Sequence, residues 1–437
     1  MSAEPQIPLR RLADFNPAPP GKLRSMGQDE FRLLPMDAVQ YFDAPGTGMR
    51  RPVREVLQGY TYVEPQDVAY AKVTPCFENG KGLVGRDLDA PVFATSELTV
   101  IRPGPNLDQG FLSYVLRSEA FRGPAIASMT GAGGLKRVDE KDMASQSIWC
   151  PPLAEQRAIA DYLDHETAEI DALIADLRQM VGLSMEEWRA RRDRVLSHGW
   201  PEARDLTINT ATWFSDRAQH WSEGALKHLF DITLGKMLDE SRHVLGGEYF
   251  PYVRAADISD ASLNLANLKH MPFDIRERNK YSLCEGDILV VEGGSVGTNV
   301  VLKEDLRDVF FQKTVNRIRA RQNIVPTFYA EILNSYRDNG AIDTVCNGST
   351  IMHLTAEKLG NLVVPVPPIE EQNSIAEELG RSRRELDSLT SECHRAIELA
   401  VERRSALISA AVTGQLNVTG KSQPVVEQLE DEIREMR

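Results

Sequence analysis

Only five cysteines occur in 437 residues, Cys76, Cys150, Cys284, Cys346 and Cys393, and no two are spaced CxxC. That excludes a disulfide framework or a thiolate zinc site and leaves buried or free thiols of a reducing compartment. No apolar run approaches the ~18 residues that a membrane span requires. The opening MSAEPQIPLRRLADF has no charged-then-apolar export pattern. A cytoplasmic protein without membrane contact is expected.

Catalytic signatures are missing too. TGKS at 419–422 resembles the end of a phosphate-binding loop, but its leading glycine is replaced by Gln415. The glycine-rich stretches TGAGG (130–134) and GGSVG (293–297) lack dinucleotide-binding spacing. FNPAPP (15–20) departs from the Asn-Pro-Pro-aromatic motif of adenine methyltransferases at Ala18 and Pro19. Eight histidines include no HExxH pair, so no metal site or active site is expected.

What is present is an internal repeat. Residues 151–163 read PPLAEQRAIADYL and residues 367–379 read PPIEEQNSIAEEL. The match runs without a gap from Pro151–Ser197 onto Pro367–Thr413, with 13 identities in 47 positions. A period of 216 residues is too long for a solenoid, so the chain is two large copies of one unit. Each copy is a mixed globular segment followed by a long helix. Prolines suit the helix entry because their fixed φ fits the first turn and an N–H there has no acceptor.

Hydrophobic residues then recur at seven-residue spacing, Leu163, Ile170 and Leu177 in the first helix and Leu379, Leu386, Cys393, Ala400 and Leu407 in the second. Leu173 and Met180, and Leu389 in the other helix, lie on the neighbouring row. This narrow seam predicts that the two helices pack on each other as a coiled coil. At ~1.5 Å per residue, some 44 residues make a rod of roughly 65 Å.

The globular segments share weaker features. Strand-like VAYAKV (68–73) and ELTVIR (97–102) in the first have counterparts DILVVEG (287–293) and TVNRIRA (314–320) in the second. FLSYVLRSEAF (111–121) and FYAEILNSY (328–336) read as helices. At an offset of 217, Arg102 meets Arg319 and Phe111 meets Phe328. The expected boundaries are 1–150, a first domain; 151–200, a helix; 201–221, a linker; 222–366, a second domain; 367–416, a helix; and 417–437, a tail. Half of the net charge of −14 sits on the two helical stretches, −4 on residues 151–200 and −3 on 367–420, while residues 1–150 carry −1 and residues 222–366 carry −3. Nearly balanced domains can still present a basic face.

Taken together, the repeated PPxxEQ helices and the phrases RLLPMDAV (32–39), AKVTPCFENGKG (71–82), PYVRAADI (251–258), GDILVVEGG (286–294) and ERRSALISAAVTGQL (402–416) resemble the specificity subunit of a type I restriction–modification system. The resemblance covers nearly the whole chain. It departs at RRDRVLSHGWPEARDL (191–206), where the usual ending of the first helix has eroded. It implies two α/β (α+β) target-recognition domains joined by two long antiparallel coiled-coil helices, with pseudo-two-fold symmetry. The implied function is a non-catalytic reader of a bipartite, asymmetric double-stranded DNA site. Implied partners are two methyltransferase subunits and, where present, restriction subunits; S-adenosylmethionine and ATP would belong to them.

Candidate DNA contacts are polar or basic side chains on glycine-rich loops, because such loops approach the backbone closely and arginine forks onto guanine. They are Arg50, Arg51, Lys72, Lys81, Lys136 and Arg137 in the first domain, and Lys236, Arg254, Ser295, Thr298, Lys313, Thr350 and His353 in the second. The segments 134–138 and 349–353 hold matching places before each helix. Other readings are the recognition subunit of a type IIB-like complex, a coiled-coil scaffold, and an enzyme with degenerate motifs. Neighbouring genes separate the first, sequence-specific DNA binding the second, and turnover by the isolated chain the third.

Overall fold

The computed structural model describes residues 6–132, 134–208, 212–237, 248–260, 262–321, 323–346, 352–418, 429 and 432–434. Thr350 lies outside them. Two compact units are present, residues 1–179 with 392–437, and residues 180–391. The architecture is mixed α/β.

In the first unit, strands β1 (Gln6–Pro8), β2 (Ala13–Phe15), β3 (Val68–Ala71), β4 (Gly82–Val84) and β5 (Leu98–Pro103) precede helix α1 (Gln109–Arg117) and strand β6 (Ser147–Trp149). The main sheet has the order β2-β5-β3-β4, with every neighbour antiparallel. All four residues of β3 are buried, as befits the apolar run that contains them. A second sheet joins Met49–Pro52, Glu30–Leu34, Val92–Ala94 and Thr61–Val63, its middle pair parallel. The unit closes on itself, because β1 pairs antiparallel with β6 through Gln6 and Trp149. Shortly after β6 the long helix α2 (Leu153–His198) begins.

The second unit repeats this plan with β7 (Ser222–Ala225), β8 (Phe230–Leu234), β9 (Ile288–Val291), β10 (Asn299–Val301), β11 (Val315–Ala320), α3 (Pro326–Asp338) and β12 (Val363–Val366). Its main sheet has the equivalent order β8-β11-β9-β10. Closure is again antiparallel, β7 with β12 through Ser222 and Val366. The second long helix, α4 (Ile369–Val412), follows.

Each long helix contributes one half to each unit. In the first, Ile159, Leu163, Ile170 and Ile174 of α2 share a core with Ala400, Leu407, Ile408 and Ala411 of α4. In the second, Val195 and Leu196 of α2 share a core with Ile375 and Leu379 of α4. Early residues of one helix therefore meet late residues of the other, and the pair is antiparallel. Leu177 and Leu386 are also buried, while Leu173 and Leu389 are half-buried. The next seven-residue position after Leu177 is Ser184, and Met180 on the neighbouring row and Leu183 are exposed, so the apolar stripe stops at Leu177. Trp188 and Arg192 occupy the next buried positions, and Arg192 pairs with Asp338 of α3 at 2.8 Å.

Both helices end at a glycine of positive φ, Gly199 (+90°) and Gly414 (+75°), a backbone conformation that side chains resist. A Cβ there would lie 3.2 Å from the Trp221 ring and 3.0 Å from the Trp149 ring. The first helix thus keeps the ending of the second despite its eroded sequence.

The PPxxEQ motif has a structural reason. Buried Gln156 accepts from the Asp108 N–H at 2.8 Å and donates to the Pro151 and Asn106 carbonyls at 2.7 and 3.0 Å. Buried Gln372 accepts from the Val325 N–H at 3.0 Å and donates to the Pro367 carbonyl at 2.9 Å. Asp108 and Val325 are the N-cap residues of α1 and α3. One glutamine therefore fastens each long helix to its domain through main-chain groups. Gln156→Ala or Gln372→Ala leaves these groups without their partner and should each cost about 1–3 kcal/mol. Urea unfolding of each variant beside the parent measures that loss.

Candidate nucleic-acid interface

The two main sheets present one equivalent place, where the chain following β3 or β9 is crossed by the segment that leads to the long helix. In the first unit, Lys72 donates its N–H to the Glu97 carbonyl and accepts at its own carbonyl from Val138, both at 2.9 Å. Val73 forms an antiparallel bridge with Arg137. In the second, Glu292 donates its N–H to the Thr314 carbonyl and accepts at its own carbonyl from Leu354, both at 2.8 Å. Gly293 forms the corresponding bridge with His353. Identical main-chain connections make Lys72, Glu97 and Arg137 the counterparts of Glu292, Thr314 and His353.

The side chains differ completely. Arg137 ends a hairpin, Thr130–Ala132 with Leu135–Arg137, and its Nε and Nη2 donate to the two Glu97 carboxylate oxygens at 3.1 and 2.8 Å. That forked bond holds the Glu97 carboxyl below the usual range, against the opposing effect of its partial burial. In the second unit, burial pushes the half-buried Glu292 carboxyl up, with His353 and Lys313 pulling in the other direction. No hydrogen bond engages its carboxylate among the described residues. The exposed His353 ring lies so close to Gly293 that a Cβ there would sit 3.1 Å from it. A larger residue at 293 would displace the imidazole.

The candidate contacts fall into two groups. Arg50 and Arg51 are exposed on the strand Met49–Pro52, Lys136 is exposed on the hairpin, and Ser295 and Lys313 are exposed beside Glu292. Lys72 is half-buried next to Glu97. The remainder are engaged within their own domains. Lys81 Nζ donates to the Met36 carbonyl at 3.1 Å. Lys236 Nζ donates to the Pro272 carbonyl and to Glu277, both at 2.6 Å. Arg254 forks onto Asp257, whose carboxyl burial raises and Arg254 more than lowers, leaving it below the usual range. Buried Thr298 accepts from Arg337 at 3.3 Å.

A pattern of basic and polar loop residues misses Glu97 and Glu292, and also Lys269 and His270. The latter two are exposed on the strand Lys269–Phe273, which pairs in its sheet as Met49–Pro52 does in the other. Glu292 does leave a signal, an acid closing an apolar strand just before Gly293 and Gly294. Among the described residues, no group of three or more His, Cys, Asp or Glu side chains is placed to hold a metal. No helix among them is long and apolar enough to cross a membrane.

A duplicated α/β domain, an antiparallel helix pair and a paired set of polar loops make up the described chain. The type I restriction modification DNA specificity domain family matches residues 84–181 and 219–399, more than half of the chain, and the chain belongs to that family. It is similar to the EcoAI type I restriction enzyme specificity subunit of Escherichia coli, 23% identical over an alignment covering 92% of this chain and 81% of that one. Its fold matches a chain from a structure on assembly and conformational transition of the type I R-M system, at a TM-score of 0.77 and 16% identity, covering 95% and 99% of the two chains. It also matches the HsdS subunit from Thermoanaerobacter tengcongensis, at 0.54 and 19%, covering 95% and 98%. The protein is a type I specificity subunit, a DNA-recognition component that is not itself a catalyst.

Proposed function

We propose that this chain reads a bipartite, asymmetric double-stranded DNA site, with residues 1–150 reading one half and 222–366 the other, while the two long helices set the gap. The carrying observation is the equivalent place at the end of β3 and β9, kept in main-chain geometry and altered in every exposed side chain. A scaffold would have no reason to keep one and vary the other. Arg50, Arg51, Lys136, Arg137, Ser295, Lys313 and His353 are the exposed side chains that suit DNA contact, and Lys72 stands next to them. In this reading two methyltransferase subunits and the restriction subunits supply catalysis, with S-adenosylmethionine and ATP bound on those partners. The whole assembly works in the cytoplasm.

Co-expression with its partner methyltransferase in a host free of adenine methylation tests this reading. Methylome sequencing should show one split motif, absent when this chain is omitted. Lengthening both helices by about four residues adds ~6 Å, near two base-pair steps, and should widen the gap while keeping both halves. A single unsplit motif, or methylation without this chain, would overturn the proposal.

A further inference from the structure

We propose that the equivalent place in the two domains reads a base through different members of its residue set, Arg137 presenting donors to guanine in one half-site and Glu292, the counterpart of Lys72, presenting an acceptor to a base amino group in the other. The inference rests on the DNA-recognition reading above and adds to it the residue and the class of base each domain selects.

In the first domain, Glu97 holds the Nε–Nη2 edge of the guanidinium, and among the described residues no acceptor takes its Nη1 end. An arginine so clamped has its plane fixed before DNA arrives, and two parallel N–H groups match the O6 and N7 acceptors of guanine. Glu97 is therefore a positioning residue, and Arg137 the reader. Its side chain is about half exposed, 49%.

In the second domain the sign is reversed. The Glu292 carboxylate, whose main-chain N–H and carbonyl are both bonded, has no hydrogen-bond donor of its own among the described residues. His353 and Lys313 stand near enough to favour its charged form, yet burial prevails and raises its proton affinity. A partly desolvated acceptor in that state gains from an incoming N–H. In the major groove the N–H donors are cytosine N4 and adenine N6, and a carboxylate accepts from either. Gly293, having no Cβ, leaves room for the neighbouring His353 ring beside that acceptor.

The test uses the full chain assembled with its methyltransferase, and reads base preference at every motif position by methylome sequencing. Arg137→Ala should relax one guanine position of one half-site by about tenfold or more and leave the other half unchanged. Glu97→Gln should relax the same position less. Glu292→Gln, whose amide donates as well as accepts, should alter one position of the other half alone, and the base that loses preference there identifies cytosine or adenine. Arg137→Lys keeps the charge but loses the fork, and Glu292→Asp keeps the carboxylate but shortens its reach. These milder changes should shift the same positions and answer the question if the larger changes impair folding. Full methylation with an unaltered motif in these variants would overturn the base assignments while leaving the DNA-recognition reading intact. Absence of any split motif from the parent complex would instead strike that reading itself.

Discussion

Exchanging residues 222–366 for the equivalent domain of another specificity subunit should change one half of the methylated motif and leave the other half and the gap as they were. The exchanged segment begins and ends on paired strands, since Ser222 on β7 faces Val366 on β12. Its grip on the long helix is equally portable. Gln372 lies outside the exchanged segment and holds the Val325 N–H, a main-chain group that any incoming residue except proline supplies. The Trp221 indole, also outside, donates to Glu371 of α4 at 2.9 Å and so stays in place. Methylome sequencing of the chimaera reads both halves at once. A motif altered in both halves would mean that the domains do not read independently.

Asp287→Asn should be the most damaging single polar change in the second domain. Asp287, 1% exposed, accepts from the Cys284 N–H at 2.8 Å and from Arg319 Nε and Nη2 at 2.6 and 2.7 Å. Its counterpart Asp67 accepts from the Glu64 N–H at 2.8 Å and from Arg102 Nε and Nη2 at 2.6 and 2.8 Å. In both domains this carboxylate ties the turn before the inner strand, β9 or β3, to the neighbouring strand. An asparagine turns an N–H₂ toward one of these donors and leaves the guanidinium without its counter-charge. Breaking a fully buried pair costs roughly 3–5 kcal/mol; with Arg319 one-third exposed, about 2–4 kcal/mol is expected. Asp231→Asn, which breaks an exposed pair with Arg321, should cost under about 1 kcal/mol. Equilibrium unfolding in urea compares the two, and equal losses would refute the ranking.

The long helices are legible in the sequence because their determinants are local and repeated. Paired prolines, apolar rows and the recurring Glu-Gln identify each helix wherever the rest of the chain lies. Buried strands announce themselves as short β-branched runs, and Arg102 and Arg319 align at one fixed offset along the chain. The interface is much less legible. Lys236 and Arg254 look like free cations on glycine-rich loops, yet Glu277 and Asp257 neutralise them at 2.6 Å. Glu277 is 41 residues from Lys236, beyond the reach of any local pattern. Arg137 and its clamp Glu97, 40 residues apart, illustrate the same problem.

Sequence alone determined that this protein is two copies of one unit, each a globular segment on a long helix, and that chemistry of the catalytic kind is missing from its motifs. Periodicity, proline placement and repeated identities are properties of the chain, and they survive without knowledge of distant contacts. Tertiary structure alone decided which polar groups are spent inside the domains and which face outward. The segments 134–138 and 349–353 already match along the chain, and the structure adds that Arg137 and His353 bridge the equivalent residues Val73 and Gly293. That correspondence rests on main-chain hydrogen bonds between segments dozens of residues apart, and a side chain's freedom depends on what the fold brings beside it.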